Sequence, residues 1–128
     1  MAWARPKLIN KLDSVVLDLL LVAIGSVPAA LMRWKFNNEL LANLIGSFIL
    51  GTLISFPFNF RRQLLIGVGF CGSLTTFSSW IIKAVLLLEE GAWMDAVKLI
   101  ACSLVLGLFA ALLGLAIGKQ LRMRGLAR

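Results

Sequence analysis

The sequence predicts an all-α integral membrane protein: a single membrane domain of four transmembrane helices, the third of them broken. Three observations predict it. The chain of 128 residues is 60% hydrophobic and has a mean hydropathy of +0.94, more apolar surface than a soluble domain this small can hide. The apolar residues gather into four runs, about 14–32, 40–56, 64–88 and 96–117, joined by short polar stretches. Within the third run, Gly67 to Trp80 crowds together three glycines, two threonines and three serines. In hydrocarbon every backbone N–H and C=O needs a partner, so irregular helix survives only where protein or a water-filled cavity surrounds it. Gly72-Ser73 followed by Thr75-Thr76 marks the expected break. Carbonyls freed there can hold a cation, and a half-helix N-terminus can attract an anion. The stretch therefore predicts an ion site.

Composition excludes several other functions. Histidine is absent and the six carboxylates are scattered, which leaves no general-base or nucleophile constellation, so no enzyme is expected. Cys71 and Cys102 are far apart, both in apolar runs, and read as packing residues instead of a zinc site or a disulfide. The net charge is +7, but the basic residues flank apolar runs, as membrane topology requires, so nucleic acid is not an expected partner.

The elements follow in order. Arg5, Lys7 and Lys11 with Pro6 precede the first run. A signal peptide also begins with basic residues, but this run continues past Pro28 without a cleavage site and a polar mature region, so it reads as a span. Asp18 lies about a turn inside it and is expected to reach the interface. The connection Arg33 to Glu39 is short enough to make the first two helices antiparallel neighbours, and Trp34 suits the membrane boundary. In the second run Asn43, Ser47 and Gly51 recur every four residues, on one helix face, with Gly46 beside them. Packing alone accounts for the glycines. An amide on such a stripe points to a polar path. Pro57 and Arg61-Arg62 close this span. After the third run, in which Lys83 can snorkel outward, Glu89 to Asp95 forms an acidic loop. In the fourth run Ser103, Gly107 and Ala111 recur every four residues, and Gly114 with Gly118 forms a GxxxG pair, a helix-contact stripe.

Four spans place both termini on one side. That side collects nine flanking Lys and Arg residues: Arg5, Lys7, Lys11, Arg61, Arg62, Lys119, Arg122, Arg124 and Arg128. The other has four at most: Arg33, Lys35, Lys98 and Lys83. The positive-inside rule predicts cytoplasmic termini in the inner (plasma) membrane.

Three motifs now coincide in order: GSVPAALMRW from Gly25 to Trp34, NLIGSFILG from Asn43 to Gly51, and GFCGSLTTFSS from Gly69 to Ser79. With these, the chain resembles the Fluc (CrcB) fluoride channels over essentially its whole length. The resemblance implies an antiparallel dimer of four-helix subunits, two fluoride pores, and a central sodium ion that is structural and not transported. It implies that the third helix breaks at the subunit interface and that the carbonyls of Gly72 and Thr75 bind the sodium. It assigns Asn43 as the pore asparagine, Phe77 as the first pore phenylalanine and Arg33 as the arginine after the first helix. The second pore phenylalanine is replaced here by Trp80, and the family's fourth-helix polar track falls near Ser103.

The chemistry of these residues suits fluoride, a small, strongly hydrated anion whose water must be replaced by donors. Asn43 offers two N–H donors, and Ser78 and Ser79 offer hydroxyls. Aromatic ring edges carry positive potential, so Phe77 and Trp80 can face an anion edge-on. No Lys or Arg lies near Asn43 or Phe77 in sequence, which avoids trapping the ion. Ser47 shares the Asn43 face. Two alternatives remain: a small multidrug-efflux-like, proton-coupled transporter, for which only Asp18 could serve as the coupling acid, and a membrane subunit whose glycine stripes serve assembly alone. The partner subunit is either a second copy or a reversely oriented paralogue.

Overall fold

The computed structural model describes residues 5–125, with side chains from residue 11 onward. Arg128 and the side chains of Arg5 and Lys7, all counted above among the cations flanking the termini, lie outside the described residues. Everything regular among the described residues is helical. Helix α1 spans Arg5–Phe36, α2 Glu39–Ile54 and α3 Phe60–Arg62. A π-helical segment, Gln63–Cys71, leads into α4 at Gly72–Leu74, followed by α5 at Ser78–Glu89 and α6 at Trp93–Met123. Three stretches are long and apolar enough to cross a membrane: Lys11–Phe36, Phe60–Glu89 and Trp93–Met123. Helix α2 is apolar too but shorter.

Except for α2, which stops at Ile54, the helices run further than the apolar stretches that announced them, since a helix does not end where lipid does. Only Asn37 and Asn38 separate α1 from α2. Asn37 takes a positive φ of 46°, and the Asn38 side chain caps α2 by accepting from Leu41 N–H at 3.0 Å. The second helix ends at Ile54, before Pro57. The acidic loop shrinks to Glu90–Ala92, turned by Gly91 at φ +76°.

Side-chain burial is slight. The fully buried cluster is Ala29, Ala42 and Leu74, with Ile45 and Phe70 against it. Large apolar side chains stand exposed instead, such as Leu104, Leu108 and Phe109 at 60–64%. Such a surface belongs in lipid or against a partner. The chain is a multi-pass membrane protein.

Two close crossings hold the bundle. Helix α2 packs mainly on α6, and α1 packs on the π-helical segment. A Cβ at Gly51 would collide with the Ala111 carbonyl, and one at Gly114 with the Phe48 carbonyl. At the other crossing, a Cβ at Gly25 would strike the Leu65 carbonyl, and one at Gly69 the Val22 carbonyl. These backbones approach because nothing stands between them. Side-chain hydroxyls fasten the crossings: Thr52 Oγ1 donates to Gly114 O at 3.2 Å, Ser55 Oγ to Leu115 O at 3.0 Å and Ser26 Oγ to Gly69 O at 3.3 Å.

Candidate functional site

The site forms where the helical backbone stops. Leu74 ends α4, Thr75 is extended at φ −79°, ψ 147°, and α5 restarts at Ser78. Each group freed there has to be accounted for. Thr75 N–H and Thr75 Oγ1 both donate to Cys71 O at 3.0 Å. Arg33 crosses from α1 to donate to Ser73 O at 3.1 Å. A cation is well placed there, at the carbonyl end of a helical run.

Thr76 is served by Asn43. The amide Oδ1 accepts from Thr76 N–H at 2.7 Å, and Nδ2 donates to Thr76 O at 3.0 Å. Two complementary bonds fix which end of the amide is which. Asn43 thus acts as a stretch of backbone, repairing the interruption from a neighbouring helix. The sequence suggested two free donors on this residue. The structure leaves one. The Thr76 hydroxyl continues the network to Ser79 Oγ at 3.2 Å and Ser78 Oγ at 3.5 Å. Against the break, Gly46 leaves room for the Thr75 methyl group.

Beside this network lies an open cleft of about 520 Å³. Of the residues singled out from sequence, Asn43, Ser47, Gly72, Thr75, Phe77, Trp80 and Ser103 line it. Ser79 lies with Arg33 at a separate cavity of about 250 Å³. Ser78 lines neither cavity and touches the network only through Thr76. Among the described residues no charged side chain lines the cleft. Phe77 and Trp80 pack edge to face, centroids 5.0 Å apart at 77°. Trp80 is 9% exposed and Phe77 68%, so the tryptophan forms a wall and the phenylalanine stands free.

The stripes seen in sequence divide here. On α2, Gly51 meets α6 while Asn43 and Ser47 face the cleft. On α6, Gly114 and Gly118 meet α2 while Ser103 and Gly107 face the cleft. Both cysteines are free, Cys71 buried and Cys102 exposed. Asp18 lies 3.7 Å from Arg61. Lys83 does not simply snorkel: its Nζ donates to Glu39 Oε2 at 2.6 Å. Sequence reasoning passed over Glu39 and the central place of Thr76. Their spacing gave a signal for the first, since Glu39 is one turn before Asn43 on the same face.

Fold and cleft together define a small multi-pass α-helical membrane protein with uncharged polar side chains gathered in a cleft beside a helix interruption. The chain belongs to the CrcB family: residues 20–115 match the family described as CrcB-like protein, Camphor Resistance (CrcB). It is similar to the fluoride-specific ion channel FluC 2 of Prochlorococcus marinus (strain MIT 9313), 53% identical over 87% of this chain and 90% of that protein. It is also similar to the FluC 2 of Parasynechococcus marenigrum (strain WH8102), 49% identical over 88% and 89% of the two chains. A fluoride-specific ion channel FluC 1 from Prochlorococcus marinus (strain NATL2A) is 35% identical over 79% and 89%.

Proposed function

We propose that this chain is a subunit of a fluoride-selective channel that lets cytoplasmic fluoride leave the cell passively. The observation that carries the reading is a mostly apolar cleft without charged side chains, into which Asn43, Ser47, Thr75, Thr76 and Ser103 bring a few polar groups beside the helix interruption, in a chain whose relatives are named fluoride-specific ion channels. Conduction needs binding strong enough to admit the ion and weak enough to release it. The remaining Asn43 N–H and the cleft hydroxyls replace water around fluoride, and the edge of the exposed Phe77 ring adds positive potential without a fixed charge. Asp18 gives no support to proton-coupled transport, because it lies only about a turn inside its apolar run and does not line the cleft. The deciding experiment is efflux from liposomes carrying the purified protein. Fluoride should leave rapidly and chloride should not. Equal rates for the two ions would refute the reading.

The subunit is read as four spans with the third broken at Thr75–Phe77. Helix α2 has 16 residues, a length of about 24 Å, so it crosses a core of about 30 Å only with its flanks included. The open cleft and the exposed Phe77 leave a face for a second subunit to close, and the resemblance to the fluoride channels makes that subunit antiparallel. Phe77→Ile should cut flux sharply, because an aliphatic side chain has no polarised edge. Trp80→Phe should preserve or raise flux. Its loss in that variant would mean that the indole N–H serves the ion directly.

The fit for a structural sodium is a matter of free oxygens. Among the described residues, no hydrogen bond outside the regular helices reaches the carbonyls of Gly72 or Thr75, and Gly72 is exposed. Two copies of these carbonyls, brought together in a dimer, would hold a dehydrated sodium ion and tie the subunits at the break. Activity should therefore fall when sodium is replaced by a larger cation, and substitution of the Thr75 side chain should matter less. Full activity without sodium or lithium would contradict this.

The partner is read as a reversely oriented paralogue. The Lys and Arg bias of nine against four at most favours cytoplasmic termini in the inner membrane. An antiparallel dimer then needs a second chain of opposite bias, unless this chain inserts both ways. The relatives' names, which distinguish a FluC 1 from a FluC 2, support the paired reading. A C-terminal reporter, expressed at native level, should report inside. Comparable inside and outside fractions, with fluoride resistance needing no second gene, would favour the homodimer.

A further inference from the structure

Two charged side chains stand just outside the cleft. Glu39 opens α2 and precedes Asn43 by four residues, while Lys83 follows Trp80 by three on α5. Each therefore sits one turn outward from a cleft residue, on the same helix face. Their side chains meet across the two helices, Lys83 Nζ donating to Glu39 Oε2 at 2.6 Å. The pair lies in a second cavity of about 290 Å³. Asn43, Trp80 and Ser103 line both this cavity and the cleft, so the two spaces adjoin at the residues proposed to meet the ion. Among the described residues, Glu39 and Lys83 are the only charged ones lining this cavity. The lysine is the more exposed partner, its side chain at 58% against 32% for the glutamate.

We propose that the Lys83–Glu39 pair is the electrostatic entrance to the cleft, a role that rests on the fluoride-channel reading above. Lys83 presents the positive end of the pair to the cavity and raises the local concentration of small anions. Glu39 performs two tasks. It holds the flexible lysine on the wall of the entrance, and it offsets enough of the charge that an anion is passed inward and not retained. A lone ammonium in a partly enclosed cavity would bind fluoride and hold it, which conduction does not tolerate. A fully neutral entrance would leave the ion no reason to exchange bulk water for the cavity. Such steering depends on ionic strength. The screening length falls from about 30 Å at 0.01 M to about 8 Å at 0.15 M, so the entrance acts mainly in dilute salt.

The test measures initial fluoride efflux from liposomes across a range of fluoride concentrations, at low and at high ionic strength. It compares the wild-type protein with Lys83→Met, Glu39→Gln and the double exchange Glu39→Lys with Lys83→Glu. Lys83→Met should lower flux at sub-saturating fluoride by roughly tenfold in dilute salt, within the range electrostatic steering covers, and approach wild type in concentrated salt. Glu39→Gln should shift the half-saturating fluoride concentration downward and reduce the maximal rate, since the uncompensated lysine retains the ion. The double exchange keeps an ion pair between α2 and α5 but puts the carboxylate in the exposed position. It should fold and still show the low-salt loss.

If both single variants lose flux in the same proportion at every salt concentration and the double exchange restores wild-type flux, the pair is only a tie between helices and the proposal is wrong. Variants that all conduct like wild type overturn it equally. Should the single variants fail to fold, the double exchange decides alone. A wild-type protein that carries no fluoride removes the channel reading and this inference with it, whereas a working channel indifferent to the exchange removes only the inference.

Discussion

Asn43→Leu should bring fluoride flux down to the background of empty liposomes and should also lower the unfolding temperature of the protein. The two effects have separate origins. The leucine has no N–H to offer an anion in the cleft. It also withdraws both partners of Thr76, whose N–H and C=O were held at 2.7 and 3.0 Å. Leaving a fully buried backbone group unpaired costs about 1–3 kcal/mol; the two Thr76 groups are half-buried beside an open cleft, so each loss falls toward the low end of that range. The interruption of the helix is thus stabilised by the same side chain that is proposed to serve the ion. Asn43→Asp separates the roles. Its carboxylate still accepts from Thr76 N–H, so the break is half repaired, but it donates nothing and repels anions. That variant should unfold closer to wild type and still fail to conduct. Flux at the wild-type rate in Asn43→Leu would remove Asn43 from the pore.

Gly114→Val should yield little or no folded protein, the largest effect expected on stability. A Cβ at this position would strike the Phe48 carbonyl oxygen and lie 3.0 Å from both Phe48 C and Thr52 N. All three are backbone atoms of α2, so no side chain can turn aside and the helices must separate. Separation also costs the bonds from Thr52 and Ser55 to the α6 backbone. Overpacking of a side chain against side chains costs about 1–3 kcal/mol, and a backbone-to-backbone crossing has less room to relax. Gly107→Ala, two turns earlier on α6, is the control. Its Cβ would meet only Ser47 Oγ at 3.9 Å, an ordinary contact, within the cleft. It should fold normally, and any loss of flux would then report on the cleft. Normal folding of Gly114→Val, judged by monodisperse elution and thermal unfolding in detergent, would show that α2 and α6 do not cross as closely as described.

Much of the architecture was legible in the sequence because it is written in composition and period. Long apolar runs cannot be hidden by a chain this small. Small and polar residues recurring every four positions on two helices, Asn43, Ser47 and Gly51 and then Ser103, Gly107 and Ala111, with the Gly114–Gly118 pair, announced close contact. Crowded glycines and hydroxyls between Gly67 and Ser79 announced irregular backbone, though not its form: the wide turns of Gln63–Cys71 left no separate signature beyond Gly67 and Gly69. Thr75 and Thr76 read as the residues able to tolerate an interruption, because their hydroxyls can satisfy freed groups and ordinary span residues cannot. The identity of the satisfying partner was not legible. Asn43 reads as a donor aimed at an ion from its residue type alone. Its engagement with Thr76 joins residues 33 positions apart and depends on how far α2 is offset along the broken segment.

Composition and periodicity alone settled the membrane class, the apolar runs and the faces on which polar residues lie. Those follow from hydropathy and from the geometry of a single helix, which every residue carries locally. Only the tertiary structure decided what each face meets. It split the stripe of Asn43, Ser47 and Gly51 between a cleft and a helix crossing, and the stripe of Ser103, Gly107 and Ala111 likewise. It turned Arg33 to the Ser73 carbonyl. It brought Lys83 to Glu39 across residues 44 apart in the chain. The physical reason is that periodicity fixes a direction around one helix axis, whereas a contact also requires the crossing angle, the offset and the distance of a second helix. Those are set by the backbone approach at Gly51 and Gly114 and at Gly25 and Gly69, where missing side chains let the helices close.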